Sequence, residues 1–260
     1  MAELNGVPAD PDQVQALGLT NYGHFTSMRV DGQRVRGLSP HLERLIRDCR
    51  RVFGADLDPD RIRYFIRQAL VDVSRSVMVR VTVFDPDLEL GNPGADAQPH
   101  VLVTIRPAAQ LPLSGLCLQS AVYRRDMPDV KHVGLFGSLQ RRRIAQRNGF
   151  DDVLFTDADA TISEAATSNL GFIDGDRIIW PAADCLPGVT MRLISEARDE
   201  HVTTAPITLD QLADVDAVFA TNAAVGIRTI SAIDDIQWPA EHPVLSVLRK
   251  QYTGIPADLL

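Results

Sequence analysis

The chain has 260 residues, 45% of them hydrophobic, and a formal net charge of −8. This length allows one large domain or two smaller ones with a substantial core, and the acidic balance argues against nucleic acid as the main partner. Three scattered cysteines (Cys49, Cys117, Cys185) without a CxxC pair indicate neither a zinc site nor a disulfide framework.

The opening MAELNGVPADPDQ has no basic start and no apolar run, and no later segment approaches the roughly 20 apolar residues that span a bilayer. A cytoplasmic protein without membrane contact is expected. Residues 1–15, polar with Pro and Asp, are expected to form a loose arm. Phe25 to Val30 reads as a strand, Asp31-Gly32 as a hairpin turn and Gln33 to Leu38 as the partner strand. A helix is expected with Ser39 as N-cap and Pro40 at its first position. Leu42, Leu45, Ile46, Cys49, Val52 and Phe53 make its apolar stripe, and Gly54 ends it. A second helix follows Asp58-Pro59, with Ile62, Phe65, Ile66, Ala69, Leu70 and Val73 facing inward. SVMVRVTVF (76–84) and HVLVTIRP (100–107) are strands by their β-branched content, separated by a Gly- and Pro-rich loop.

These elements compose a small domain over 1–106, of α/β (α+β) class. A linker is expected at 107–114 and a second domain over 115–260. There, GLCLQSAVYRR is a strand and Gly137 to Arg147 a helix. DDVLFTD, TISEA and NLGFIDGDRIIWP are short strands, with a hairpin turn at Asp174-Gly175. A helix from Thr190 to about Glu200, strand-like HVTTAPITL, a short helix capped by Thr208, the strand DAVFATN and a helix from Glu241 to Tyr252 complete the chain.

The chemistry concentrates between Lys131 and Arg192. Lys131 is one of only two lysines, the other being Lys250, in a chain that otherwise uses arginine for positive charge. A Schiff-base lysine must be partly desolvated for its amine to be neutral and nucleophilic, and the apolar GLFG beside Lys131 fits that need. Glu164 in TISEAATSN could hold a protonated pyridine nitrogen. LPGVTMR reads as a turn into a helix N-terminus, where the amides of Val189 and Thr190 and the Thr190 hydroxyl make an anion site. Arg44 in HLERL could pair two phosphate oxygens, and Thr221 and Asn222 could complete a phosphate nest. Each has an ordinary alternative: a surface lysine, a solvated glutamate, a plain Thr cap, a solvated arginine, a strand-to-loop turn. The six histidines show no metal-ligand spacing, and neither a Walker loop nor a GxSxG elbow is present.

In order, these motifs resemble the class IV (fold type IV) pyridoxal phosphate enzymes over roughly residues 20 to 235. That family includes branched-chain and D-amino-acid aminotransferases and 4-amino-4-deoxychorismate lyases. The resemblance implies pyridoxal 5'-phosphate as cofactor. It implies Lys131 as the Schiff-base lysine, Glu164 as the partner of the ring nitrogen, and Arg44, Val189, Thr190, Thr221 and Asn222 as phosphate ligands. Ser168 and Asn169 would line the ring. It further implies a small α/β domain plus a larger pseudo-barrel domain, and a homodimer acting on amino and keto acids. Arg29, Arg80 and Arg106 are candidates for the substrate carboxylate, because a planar fork matches a carboxylate. EAATSN departs from the EGxxEN of branched-chain members, with Ser168 at the acidic position. A tyrosine common after the lysine is replaced by Leu135 and Phe136, and TNAAVG resembles the lyase branch. An aminotransferase is the expected activity, with an aminodeoxychorismate-type lyase or a non-catalytic binding protein on the same fold as alternatives.

Overall fold

The computed structural model describes residues 2–111, 113–239 and 241–260; Met1 of the expected arm and Pro112 of the expected linker lie outside them. The chain divides into two units. The first comprises Met1–Ala109, Val130–Gly134 and Pro256–Leu260; the second comprises Gln110–Asp129 and Leu135–Ile255. A single linker at 107–114 would assign the second and third pieces of the first unit elsewhere. They join it by backbone pairing, through His132 opposite His24 and through a C-terminal strand beside Arg34–Arg36.

The first unit contains β1 (Ala2–Leu4), β2 (Val7–Pro8), α1 (Pro11–Thr20), β3 (His24–Asp31) and β4 (Arg34–Arg36). They are followed by α2 (Leu38–Phe53), α3 (Pro59–Ala69), β5 (Val77–Phe84) and β6 (His100–Pro107). Among the described residues its strands form a seven-stranded sheet whose central order is β4-β3-β5-β6-β1, with the C-terminal strand outside β4. Alternation along β3, β5 and β6 turns Met28, Val30, Val77, Val79, Val81, Val101 and Val103 toward α2 and α3 in one core.

Two expectations fail here for reasons of capping. Residues 2–15 are not a loose arm. Leu4 is buried against Phe84 and Leu102, and α1 carries a capping box in which Asp10 accepts from the Asp12 amide and Gln13 reaches back to Asp10. Nor does Ser39 cap α2. Its N-cap is Gly37, at φ 72, and the amide of Leu38 donates to Asp258 Oδ2 at 3.2 Å. The cap side chain comes from the far end of the chain, and Pro40 sits inside the first turn, where a missing N–H costs nothing.

The second unit contains β7 (Leu116–Val122), α4 (Phe136–Arg147), β8 (Asp152–Thr156), β9 (Ile162–Ala165), β10 (Asn169–Asp174) and β11 (Arg177–Pro181). After them come α5 (Val189–Ala197), β12 (Val202–Ala205), β13 (Ala217–Asn222), β14 (Gly226–Ile233), β15 (Ile236–Gln237) and α6 (Pro243–Gly254). Among the described residues they build a nine-stranded mixed sheet, ordered β12-β11-β10-β13-β14-β7-β8-β9 with β15 on β14. One side buries Leu154, Phe172, Val218 and Ile230. The other packs Trp180 and Phe219 against Val189 and Leu193 of α5 and Leu245 and Leu248 of α6. The chain ends in β16 (Ala257–Leu259), back in the first unit.

Candidate functional site

Lys131 sits in the first unit on a short segment held from two sides. Its amide donates to Asp48 Oδ2 at 3.1 Å, and its carbonyl accepts from the Phe25 amide at 2.8 Å. The Val133 amide reaches Gly23 O at 2.9 Å. Asp48 is fully buried and gripped by Arg47 at 2.6 Å. The lysine is half-buried, with Nζ 5.0 Å from the centre of the Phe25 ring.

One turn back along α2, Arg44 is 6% exposed. It donates to Thr26 Oγ1 at 2.5 Å, and that hydroxyl lies 2.7 Å from His41 Nδ1. Because Thr26 accepts from a permanent donor, its own proton goes to Nδ1, which puts the histidine proton on Nε2. Both His41 Nε2 and Arg44 Nε are buried without a hydrogen-bond partner. Burial, helped by the Arg44 charge, holds His41 well below its ordinary pKa and lowers His24 to about 3. Burial also lowers Arg44 to about 10, against the pull of Asp48. The cluster therefore offers uncompensated N–H donors and keeps its histidines neutral.

The strand register resolves the parity of the three arginines. Ser27 pairs Arg80, which pairs Thr104, and Arg29 pairs Met78, which pairs Arg106. All three arginines thus share the sheet face opposite α2 and α3, the face of Phe25. Arg29 is bound to Asp31 at 3.0 Å and to Ala109 O at 2.9 Å. Arg106 is exposed. Arg80 is half-buried and stacks 3.6 Å over Phe25, the ring that Lys131 also faces. It donates to Thr82 at 3.2 Å and has no carboxylate partner among the described residues. Burial and then Arg106 lower its pKa.

In the second unit, Glu164 on β9 is buried. Its Oε1 accepts from Arg125 at 3.1 Å, both side chains being 8% exposed, and its Oε2 accepts from the Leu186 amide at 3.3 Å. Asn169, on the first residue of β10, donates to Leu186 O at 2.7 Å. Glu164 and Asn169 together fix the turn that enters α5. Gly188 is the N-cap there, and a Cβ on it would come within 2.0 Å of Asn169 Oδ1. The first amides of α5, including those of Val189 and Thr190, point out of the helix end without intrahelical acceptors. Thr190 Oγ1 is buried with no partner, and so is Thr221 Oγ1, on the strand residue paired with Asn169. Asn222 donates to Ser168 Oγ at 3.0 Å and accepts the amides of Ala224 and Val225. Cys185, near Asn169, is pushed up to about 11 by burial and is inert.

The predicted site residues thus fall into two sets. Arg44 and Lys131 lie in the first unit; Glu164, Ser168, Asn169, Val189, Thr190, Thr221 and Asn222 lie in the second. Sequence reasoning missed Arg125, His41, Thr26 and Asp48. The one local signal was His41 at three residues before Arg44, a spacing that puts both on one helix face. The orphaned buried hydroxyls at Thr190 and Thr221, both in the second unit, are what a phosphate-bearing group would satisfy. Pyridoxal phosphate fits these residues.

The family model described as "Amino-transferase class IV" matches residues 23–233. A probable branched-chain-amino-acid aminotransferase of Rickettsia bellii (strain RML369-C) is 25% identical over 97% of this chain and 94% of the relative. A hypothetical aminotransferase from Mycobacterium tuberculosis, solved in its PLP-bound form, is similar at TM-score 0.82 and 16% identity, covering 98% of each chain. The 4-amino-4-deoxychorismate lyase of Pseudomonas aeruginosa is similar at TM-score 0.81 and 22% identity, covering 96% and 97%. These structural likenesses establish the fold. Among the described residues no helix is long and apolar enough to cross a membrane.

Proposed function

This chain belongs to the class IV aminotransferases, enzymes that use pyridoxal phosphate, and from that premise we propose that it transfers an amino group between an amino acid or amine and a keto acid. The observation that carries the reading is the pair of buried, unpartnered hydroxyls of Thr190 and Thr221, beside the open N-terminus of α5. Arg44, Val189, Thr190, Thr221 and Asn222 would hold the phosphate, Glu164 the ring nitrogen, and Ser168 and Asn169 the ring. Lys131 would bind the aldehyde carbon.

When bound, the cofactor supplies an electron sink for the carbon bearing the substrate's amine. The chain's own residues do the rest. Arg125 aims Glu164 through a buried charge-assisted bond. Lys131 Nζ, steered by Asp48 through the backbone and by the Phe25 ring, takes the proton from the substrate carbon and passes it on. Arg80 is the strongest of the three arginines for the substrate carboxylate. Arg29 already has Asp31, and Arg106 stands in solvent. The reading includes a cytoplasmic homodimer, which sedimentation of the purified protein tests.

A lyase of the aminodeoxychorismate type is the second reading. Ser168 at the family's acidic position favours it, as does Phe136, 79% exposed, in place of a tyrosine. An amino-donor panel of D and L enantiomers, run with and without a keto acid, decides. Turnover that requires the keto acid supports transfer. Pyruvate released without an acceptor supports the lyase. A purified protein that stays colourless with added pyridoxal phosphate sinks both.

A further inference from the structure

One buried carboxylate takes no part in the site described above. Asp152, the first residue of β8, is 3% exposed. Its Oδ1 accepts from the Val153 amide at 2.8 Å and lies 3.3 Å from Arg142 Nε on α4. Its Oδ2 accepts from the Thr167 hydroxyl at 2.8 Å. Thr167 stands beside Ser168 in the turn between β9 and β10, and its carbonyl accepts from Asn222 Nδ2 at 3.3 Å. The same nitrogen reaches Ser168 Oγ at 3.0 Å, while Asn222 Oδ1 holds the amides of Ala224 and Val225. The carboxylate therefore ties α4 to the first turn, and the first turn is tied to the second, which follows β13.

A buried charge survives only when its lone pairs are used. Here an amide and a hydroxyl donate to it, and the Arg142 guanidinium sets its charge opposite. Burial raises the Asp152 carboxyl above its ordinary pKa, against the pull of Arg142, so the position keeps a carboxylate where an apolar residue would avoid the desolvation. The turn it grips is exposed at Thr167 and has few other ties: Ala165 pairs Ser168 at 2.9 Å, and the Ala166 amide reaches Val153 O at 3.0 Å.

We infer that Asp152 is a positioning residue for the cofactor: through Thr167 and Asn222 it fixes the spacing between Ser168, in the first turn, and Asn222, where β13 enters the second. The inference rests on the reading that those turns hold pyridoxal phosphate. Replacing Asp152 by Asn turns an NH₂ toward the Val153 amide or the Thr167 hydroxyl, both donors, and removes the anion opposite Arg142. The turns then drift, and phosphate and ring lose aligned partners while the sheet remains.

The test strips the full-length protein of cofactor and titrates pyridoxal phosphate back. The proteins compared are the wild type, Asp152→Asn, Asp152→Glu, Thr167→Val and the double variant Asp152→Asn/Thr167→Val. The readouts are cofactor Kd, kcat and KM at saturating cofactor, and melting temperature. Each single loss is expected to raise Kd about tenfold, with KM for the amino donor unchanged and Asp152→Glu recovering part of the affinity. The double variant should be no weaker than the worse single, because both remove one linkage. Variants that melt lower but bind cofactor as the wild type does overturn the inference, and so do losses that multiply in the double variant. A wild type that takes up no cofactor fails differently: it removes the underlying reading, and the inference with it. If Asp152→Asn does not fold, Thr167→Val, which deletes one hydroxyl at an exposed turn, still decides.

Discussion

On the function proposed above, the two units would meet an anion by opposite means. The first concentrates buried charge: Arg44 and Asp48 lie along one helix, with the half-exposed Arg47 paired to Asp48 and His41 held neutral beside them. The second uses almost no charge around Thr190 and Thr221. It presents hydroxyls, a helix end and two turns, braced by side chains that bond to backbone. The first arrangement tolerates small displacements, because charge acts over several ångströms. The second depends on alignment, because hydrogen bonds weaken steeply off-axis. Substitutions in the first unit should therefore act through charge and chemistry, and those in the second through position.

The largest expected effect is at Lys131, which belongs to neither strategy. Lys131→Ala removes the amine proposed to move the proton and should lower kcat/KM by roughly 10⁴-fold, with the visible absorbance of bound cofactor lost. Steady-state rates and a spectrum check this. Turnover within tenfold of wild type would remove Lys131 from the chemistry.

Glu164 tests the second unit at the buried charged pair that braces the turn into α5. Glu164→Ala takes away the buried carboxylate facing Arg125, and loss of one partner of a buried pair costs about 3–5 kcal/mol. Replacing both partners, as Arg125→Met with Glu164→Leu, should recover most of that stability in denaturant midpoints yet leave turnover abolished. If the double variant regains activity along with stability, Glu164 is a structural residue only.

The sequence announced the pieces of these clusters unequally. Lys131 stood out because lysine is scarce here, and the strands around Arg80 because they are rich in β-branched residues. Arg125 was invisible. It is one arginine among many, and its partner Glu164 lies 39 residues away. Asp258 as the cap of α2 was hidden for the same reason, at a separation of 220 residues. Nor does spacing along β3, β5 and β6 place Arg29, Arg80 and Arg106 on one face; the register between strands does. β14 went unread because it follows a turn of small residues and starts at Gly226, at φ 73. What local chemistry dictates was legible, and what a long-range partner dictates was not.

A smaller effect distinguishes the first unit by pH. His24 titrates at about 3 in the folded protein, against an ordinary value of 6.5, because burial disfavours its charged form. Between those values the unfolded chain binds the extra proton, so this contribution is complete above pH 6.5 and falls as pH drops toward 3. The slope is about 1.4 kcal/mol per pH unit at most, and His41 acts in the same direction. Other groups titrate in the same range, so the difference between proteins is the measurement. Denaturant midpoints from pH 7 to pH 4 should fall less steeply in His24→Leu than in wild type. Equal slopes would mean that water reaches the His24 ring.

The smallest effect is the sharpest contrast, because its sign reverses between two states of one protein. Thr190 and Thr221 each bury a hydroxyl that finds no partner. Without cofactor, that orphan destabilises the fold. Valine has nearly the same shape and no hydroxyl, so Thr190→Val or Thr221→Val should raise the stability of cofactor-free protein by about 1 kcal/mol each. With cofactor, the same hydroxyl would donate to a charged oxygen, a bond of about 1.5–3 kcal/mol, so the valine variants should bind pyridoxal phosphate at least about tenfold more weakly. Thermal melts of stripped protein and cofactor titrations of the same samples give both numbers. Equivalent changes at Arg44 should lower both quantities, because its charge is tied to Asp48 and Thr26 whether or not an anion is bound. If the valine variants lose stability without cofactor, the hydroxyls have partners of their own, and the second unit does not keep them open for a phosphate.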